Sequence, residues 1–311
     1  MTVDAVHVIF ETVHGSRAYG LDTPESDLDL KGVLVGPPAW YFGFREAPEQ
    51  QELGPDHVRY ELRKFFRLAA SANPTLLELL FTDPADHRIV TPAGERLLAA
   101  RERFLSRRVK DSFAGYAMSQ LARIQTHRRW LLHPPAHEPT RGEFGLPERT
   151  VIPKDQLGAA EALLADGRAS EADLSPNFLA ILDRERRYRS ARKEWEHYQS
   201  WLRTRNPRRA ALEAQHGYDT KHAMHLVRLL RMGREILSLG TVQVRRPDAD
   251  DLRGVRAGAW TYDALMTNAE ALAADVRAAA RTSPLPEAPD DAALDALCVE
   301  LVQSALAQDP R

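Results

Sequence analysis

Hydrophobic positions in the first ninety residues form short apolar runs and alternating segments, which is the pattern of β-strands. Residues 6–13 are apolar and rich in β-branched side chains before a Gly-Ser pair, which predicts a buried strand that ends in a turn. A second strand is predicted over residues 28–35, with Leu28 and Leu30 facing the core. Alternation over residues 57–62 predicts a third strand that runs into a helix.

From about residue 91 onward, apolar residues recur at intervals of three and four, which is the spacing of amphipathic helices. Repeated proline and glycine in residues 133–153 predict a long loop, because proline cannot continue a helix. A proline-rich linker from residue 283 precedes a short terminal helix. The predicted longer helical segments are 93–132, 155–166, 175–203, 207–240 and 261–282.

These elements predict an α+β fold, in which a small mixed β-sheet domain precedes a larger all-α domain. We place the sheet domain at residues 1–92, the helical domain at 93–282 and a linker with a terminal helix at 283–311. A chain of 311 residues is long enough to form two hydrophobic cores.

The composition is that of a soluble globular protein, with 43% hydrophobic and 28% charged residues. No apolar run approaches the roughly 20 residues that cross a bilayer, and the first residues lack the pattern of a signal peptide. The single cysteine, Cys298, excludes a disulfide within the chain and a cysteine-based zinc site, and we expect it to be buried. We therefore expect a cytoplasmic protein with no membrane partner.

Positive charge is concentrated in the middle of the chain, although the formal net charge is only −2. Residues 101–129 carry eight Lys and Arg against two acids, and residues 184–209 carry ten against three. These stretches are either solvated faces of helices or a surface for a nucleic-acid backbone. Arg205, Arg208 and Arg209 belong to the second stretch. Its aromatic residues either pack in a core, the commoner case, or stack on bases; they are Tyr188, Trp195, Tyr198 and Trp201.

Two aspartates, Asp27 and Asp29, are two positions apart on the second predicted strand, so their carboxylates project from the same face. Paired carboxylate oxygens suit Mg²⁺ or Mn²⁺. Nucleotidyl transfer uses such a pair, because one metal ion lowers the pKa of the attacking hydroxyl and another neutralises the triphosphate and pyrophosphate.

A Gly15-Ser16 turn precedes these aspartates. Glycine lets the backbone approach a phosphate closely, and the amide hydrogens and the serine hydroxyl can hold the β- and γ-phosphates. Arg17 can add positive charge there. An isolated Asp-x-Asp pair is a weak signal, but a Gly-Ser pair eleven residues ahead of it makes the pattern much more specific.

Gly-Ser followed by Asp-x-Asp resembles the signature of the polymerase-beta-type nucleotidyltransferase superfamily. Gly-Ser-Arg-Ala-Tyr-Gly-Leu at residues 15–21, Ser-Asp-Leu-Asp at 26–29 and Gly-Tyr-Asp-Thr-Lys-His-Ala at 217–223 further resemble predicted nucleotidyltransferases associated with RNA ligases and RNA repair. The resemblance spans roughly residues 5–260. It implies that residues 1–92 form the catalytic domain, that residues 93–282 bind nucleotide and substrate, that ATP is the nucleotide and that RNA is the acceptor.

A third metal carboxylate is expected on a neighbouring strand, and Asp56 and Glu61 are its candidates. Strand alternation puts Glu61 on the polar side, whereas the resemblance favours Asp56 at the start of the strand. Glu61 also suits the first turn of the following helix, where an acid complements the helix dipole.

A second set of candidate residues lies on a helix that begins near Asp219. Lys221, His225 and Arg228 are spaced by four and three residues and share one face, with His222 beside them. We interpret them as nucleotide-binding residues that contact the triphosphate; the alternative is a solvated basic face. A metal site at the two histidines is weaker, because no third ligand is evident. Tyr218 either stacks on a base or belongs to the core.

The leading hypothesis is a nucleotidyltransferase that transfers a nucleoside monophosphate from an NTP to a hydroxyl of RNA and releases pyrophosphate. The alternatives are an adenylyltransferase that modifies a protein or small molecule, and a non-catalytic nucleotide- or RNA-binding module. The sequence indicates neither the preferred base nor the oligomeric state.

Overall fold

The computed structural model describes residues 6–44, 46–150 and 176–307, with residues 158–159 and 162 between the last two ranges. In these ranges five strands form one mixed sheet with the order β3-β4-β2-β1-β5. Strands β2 and β4 are parallel, and the other neighbours are antiparallel. The strands are β1 (His7–His14), β2 (Asp29–Val35), β3 (Gln50–Gly54), β4 (His57–Glu61) and β5 (His87–Val90).

Helices make up most of the remaining described chain, which confirms the α+β class and the order of sheet before helices. Two short helices, α1 (Gly15–Tyr19) and α2 (Ala39–Phe42), lie between the strands. The longer helices are α3 (Leu62–Ala70), α4 (Pro74–Leu80), α5 (Pro92–Ala99), α6 (Val109–Leu132), α7 (Pro176–Thr204), α8 (Pro207–His216), α9 (Thr220–Leu239), α10 (Ala249–Arg256), α11 (Tyr262–Thr282) and α12 (Asp291–Ala307). No helix within these described ranges has the length and apolarity of a membrane span.

Two predicted helices are each divided in the structure. The segment 93–132 breaks into α5, a short 3-10 turn at Arg101–Phe104 and α6. The segment 207–240 breaks at Gly217, whose positive φ of 75° ends α8 before the Asp219 side chain caps α9. The predicted helix 155–166 lies almost entirely outside the described residues.

The first predicted strand is confirmed as β1, whereas the second begins later than expected, at Asp29, so Asp27 does not lie on it as predicted. Asp27 and Leu28 precede β2, and Leu28 is 49% exposed rather than packed in the core. The hydrophobic side of β2 starts further along, at Val33, Leu34 and Val35, which are all fully buried. The start of β2 is therefore a polar, accessible edge of the sheet.

Cys298 lies in the core on α12, as the sequence predicted. Burial raises the pKa of its thiol to about 12, with smaller contributions from Glu61 and Asp295. The thiol therefore stays protonated and acts as a small apolar group.

The chain divides into two compact units, Met1–Gln125 with Gln215–Arg311, and Thr126–Ala214. This division concerns packing, and the domain boundaries at residues 92 and 282 stay predictions. The first unit contains the sheet and its core, which includes the four buried leucines of α4; they are Leu76, Leu77, Leu79 and Leu80.

The second unit holds the aromatic residues that the sequence left open between packing and base stacking. The rings of Trp130 and Trp201 lie 5.5 Å apart, with Tyr198 within 6.0 Å of both. Arg205 lies 4.3 Å over the Trp201 ring and donates to Glu213 at 2.7 Å. These contacts favour packing over base stacking, because the rings pack against one another and against Arg205. The side chain of Arg208 lies outside the described residues.

Gly94 in α5 provides a test of how this helix packs on the sheet. A Cβ at Gly94 would lie 2.1 Å from the carbonyl oxygen of Ile9 on β1, a backbone atom that cannot move aside. Glycine to alanine in a helix ordinarily stabilises by about 0.5–1 kcal/mol. We expect Gly94→Ala instead to lower the free energy of unfolding by about 1–3 kcal/mol, as overpacking does.

Gly115→Ala in α6 is the matched control, because nothing lies within 4 Å of the added Cβ. Chemical denaturation monitored by circular dichroism should show this variant slightly more stable than the wild type. If both variants were stabilised equally, the close packing of α5 on β1 would be contradicted.

Candidate active site

The centre of the candidate site is the contact between Asp29 and the turn at Gly15. Antiparallel pairing sets His14, the last residue of β1, opposite Asp29, the first residue of β2. Gly15 follows with a positive φ of 67°, and a Cβ there would lie 2.0 Å from Oδ2 of Asp29. The carboxylate thus lies against the turn, and only glycine leaves room for it.

Two further aspartates act on Asp29. Partial burial raises the pKa of the Asp29 carboxyl, and the negative charges of Asp56 and Asp27 raise it further. The backbone carbonyl of Asp56 accepts a 2.7 Å hydrogen bond from the amide of Leu30, so the residue lies beside the start of β2. Asp27 and Asp56 are exposed and Asp29 is half-buried. Asp27 and Asp56 thus both place negative charge near Asp29, and carboxylate oxygens are the ligands that a hard divalent cation prefers.

Glu61, the other candidate for the third carboxylate, caps a helix. Its side chain accepts from the amides of Arg63 at 3.0 Å and Lys64 at 3.3 Å, and from the Tyr41 hydroxyl at 3.0 Å. It also ends β4, four residues beyond His57 and therefore about 13 Å from the end that lies beside Asp29. Its burial and these bonds favour Asp56 as the third acidic residue of the site.

Two lysines place positive charge near the aspartates. Lys31 follows Asp29 by two positions on β2, so both side chains leave the same face of the sheet. Lys31 and Lys221, which is exposed in the first turn of α9, both lower the pKa of the Asp29 carboxyl. Lys31 was not among the residues predicted from the sequence, although its two-residue spacing from Asp29 indicates that it shares a face with that carboxylate.

The histidines of α9 differ from Lys221 in their surroundings. The backbone amide of His222 donates to the Asp219 carboxylate at 3.0 Å, and its Nδ1 lies 2.7 Å from the Gln120 side-chain oxygen. His225 is half-buried one turn further along the helix. Of the four predicted residues on α9, Lys221 is therefore the one whose exposure and charge best suit a phosphate.

Arg17 stabilises the loop that precedes β2. Its guanidinium donates to the backbone carbonyl of Ser26 at 2.7 Å and to that of Asp27 at 3.3 Å. These bonds tie the turn after β1 to the residues that present Asp27. Nucleotide binding by Gly15, Ser16 and Arg17 stays a prediction, and the bonds of Arg17 add a positioning role for it.

Arg228 lies in a buried charged cluster beneath the turn. Only 5% of it is exposed, and its guanidinium binds the Glu78 carboxylate at 2.5 Å and lies 3.9 Å over the Tyr19 ring. The Tyr19 hydroxyl also donates to Glu78, at 2.5 Å. A buried cation held by an ion pair and a ring is a structural element. The buried position of Arg228 favours a structural role beside α1. It does not favour the contact with the triphosphate that the sequence suggested.

Tyr218 belongs to the core. The residue is fully buried, and its hydroxyl donates to the backbone carbonyl of Trp260 at 2.7 Å. Of the two alternatives that the sequence left open, packing is therefore correct and base stacking is not supported.

The part of the chain that forms this sheet edge is similar in sequence to known proteins. Residues 2–133 match the model of the RNA repair pathway DNA polymerase beta family. The match confirms the resemblance seen in the Gly-Ser and Asp-x-Asp motifs for the part of the chain that holds all five strands. It supports nucleotidyltransferase chemistry linked to RNA repair for that part.

Two curated proteins are similar to segments of the chain. YcgL of Bacillus subtilis (strain 168) is 33% identical over 95 residues, which are 29% of this chain and 36% of that protein. A 38.9 kDa protein from the nrdC-mobD intergenic region of Enterobacteria phage T4 is 30% identical over 129 residues, which are 37% of this chain and 38% of that protein. The chain thus matches little more than a third of each relative's length. No solved structure matches it.

His14, next to the turn, should make stability depend on pH. The ring is buried 3.7 Å from Glu78, and burial lowers the pKa of His14 to about 4. The unfolded chain binds a proton near its ordinary pKa of about 6.5, so protons favour unfolding between these two values. The contribution of neutral His14 is fully present above about pH 6.5 and is lost as the pH falls towards 4, at about 1.4 kcal/mol per pH unit.

Denaturant unfolding of the wild type and His14→Asn at several pH values would measure this effect. The variant removes the titrating ring but keeps a polar side chain, so the stability difference between the two proteins should change by about 2 kcal/mol between about pH 7 and pH 5. Parallel stability curves for the two proteins would contradict the buried, neutral state of His14.

Proposed function

We propose that this protein is a metal-dependent nucleotidyltransferase that transfers a nucleoside monophosphate from an NTP, with ATP as the leading candidate, to a hydroxyl of RNA. The observation that carries the proposal is the Asp29 carboxylate seated against the Gly15 turn, with Asp27 and Asp56 acting on it. The proposal assigns phosphate binding to the backbone of this turn and metal binding to the carboxylates beside it.

The proposed reaction is the attack of an acceptor hydroxyl oxygen on the α-phosphorus. A new oxygen–phosphorus bond forms, the bond to pyrophosphate breaks, and the hydroxyl proton is lost. Asp27, Asp29 and Asp56 would hold Mg²⁺ or Mn²⁺, which lowers the pKa of the hydroxyl and offsets the charge of the phosphates. Gly15 and Ser16 would receive the β- and γ-phosphates, and Lys221 would add a positive charge opposite them.

RNA is the proposed acceptor because the matched family is described as part of an RNA repair pathway. The concentration of basic residues in 101–129 and 184–209 agrees with a phosphodiester partner. Transfer to a protein or a small molecule would use the same acidic site and is an outcome that the assay distinguishes.

Incubation with each labelled NTP, Mg²⁺ or Mn²⁺, and RNA should place label in RNA. Asp29→Asn keeps the size of the side chain and removes a metal ligand, so we expect turnover to fall by at least about 10²-fold. Asp22→Asn is the matched control, because Asp22 is an exposed aspartate of the preceding loop, and its activity should stay near that of the wild type.

Three results would count against the proposal. Label in protein or in a small molecule would replace RNA as acceptor, and no transfer at all would favour a binding module. Equal activity of the Asp29→Asn protein and the wild type would remove Asp29 from catalysis. Circular dichroism of both variants would establish that each is folded.

A further inference from the structure

A second positively charged site lies in the first compact unit, away from the aspartates. It is a cavity of about 430 Å³ at the start of α6, bounded by the end of α11 and the segment that follows it. Five positive side chains line it, against two negative ones, Asp111 and Glu287. We call these five residues the basic groove: Arg107, Arg108, Lys110, Arg277 and Arg281.

Two of these arginines are available to bind a ligand. Arg277 and Arg281 are exposed and lie four positions apart near the end of α11, so their side chains share one face. Among the residues that the structure describes, neither one has a hydrogen bond or ion pair. Two unpaired guanidiniums beside a cavity are suited to phosphate, which accepts their planar, forked donors.

The other arginines are fixed by the backbone. Arg107 donates to the Leu285 carbonyl at 2.9 Å and lies 3.5 Å from Glu287, and Arg108 donates to the Ala70 carbonyl at 3.1 Å. The bonds to neutral carbonyls hold the two guanidiniums in place. Glu287 pairs with Arg107, and Asp111 pairs with Lys110 at 3.5 Å, so the uncompensated charge of the groove belongs to Arg108, Arg277 and Arg281. The wall of the basic groove is thus preorganised.

The groove extends beyond one phosphate. A second cavity of about 400 Å³ shares Arg108 and Asp111 with it and adds the hydroxyl-bearing residues Ser71 and Ser112. A positively charged groove that continues into a cavity with hydroxyl groups fits successive phosphates of a strand better than a single phosphate group.

Helix α6 relates the groove to the candidate active site. Asp111 lines the groove, and nine residues further along α6 the side chain of Gln120 contacts His222 at 2.7 Å. Nine residues make about two and a half turns of helix and rise by about 14 Å, so Asp111 and Gln120 leave opposite faces of α6. The basic groove is therefore separate from the face of α6 that contacts α9.

We infer that the basic groove binds the phosphodiester backbone of the RNA acceptor, an inference that rests on the proposed function for the identity of the partner. Recognition by the groove is independent of base sequence, because its lining presents guanidiniums and an ammonium group to the backbone.

The test is the double variant Arg277→Ser with Arg281→Ser, measured by fluorescence anisotropy with a labelled single-stranded oligoribonucleotide of about twelve nucleotides. Both side chains are exposed, so the variant should fold. We expect RNA affinity to fall at least about tenfold, and the slope of log affinity against log salt to decrease by about 1.4, for two lost contacts to a single strand. ATP affinity, measured by calorimetry with Mg²⁺, should not change.

Arg88→Ser with Arg149→Ser is the matched control, because it removes two exposed arginines outside the groove and outside the basic stretches 101–129 and 184–209, and it changes the net charge equally. An equal loss of RNA affinity in the control would overturn the inference, as would unchanged RNA binding by the groove variant. Weaker ATP binding by the groove variant would assign the groove to free nucleotide and would also overturn it.

Groove-dependent RNA binding and turnover are separate measurements, so comparing them separates this inference from the proposed function. RNA binding that depends on the groove, without turnover in the wild type, would support the groove and contradict catalysis. Turnover in the wild type with groove-independent RNA binding would support catalysis and contradict the groove.

Discussion

The close approach of the Asp29 carboxylate to the Gly15 backbone is the constraint on which the candidate site depends. Strand pairing brings the two residues together, since β1 ends opposite the point where β2 begins. A side chain at Gly15 would occupy the position of the carboxylate and would be strained by the positive φ. The Gly15 backbone and the Asp29 carboxylate are therefore adjacent because of the antiparallel register.

A buried charged cluster stabilises the position of this turn. Glu78 of α4 binds Arg228 of α9 and accepts from Tyr19 of α1, so one carboxylate joins three helices of the first compact unit. Burial of a lone charge is costly, and each member of the cluster is stabilised only while its partners are present. The turn at Gly15 is thereby tied to α9, the helix that also carries Lys221.

The sequence predicted the parts of the site that depend on local pattern. The strand before Gly15, the paired aspartates and Asp56 follow from alternation, turn chemistry and resemblance. Strands β3 and β5 were missed because they are short outer strands of the sheet with partly exposed residues. The buried ion pair of Arg228 could not be predicted, because helical spacing identifies only which residues share a face, and its partner Glu78 lies 150 positions away. Such a distant ion pair leaves no signal in local periodicity.

An acidic edge of the sheet repels a phosphodiester strand, so the binding of such a strand would need positive charge elsewhere on the protein. The carboxylates of Asp27, Asp29 and Asp56 would repel a phosphodiester backbone, and the cations of the proposed function would offset that repulsion only at the reacting phosphates. An acceptor strand therefore gains affinity from positive charge beyond the acidic site. Lys31 and Lys221 act on the acidic site itself, where both lower the pKa of the Asp29 carboxyl. The unpaired arginines of α11 in the basic groove can attract the strand without competing with cations for the aspartates.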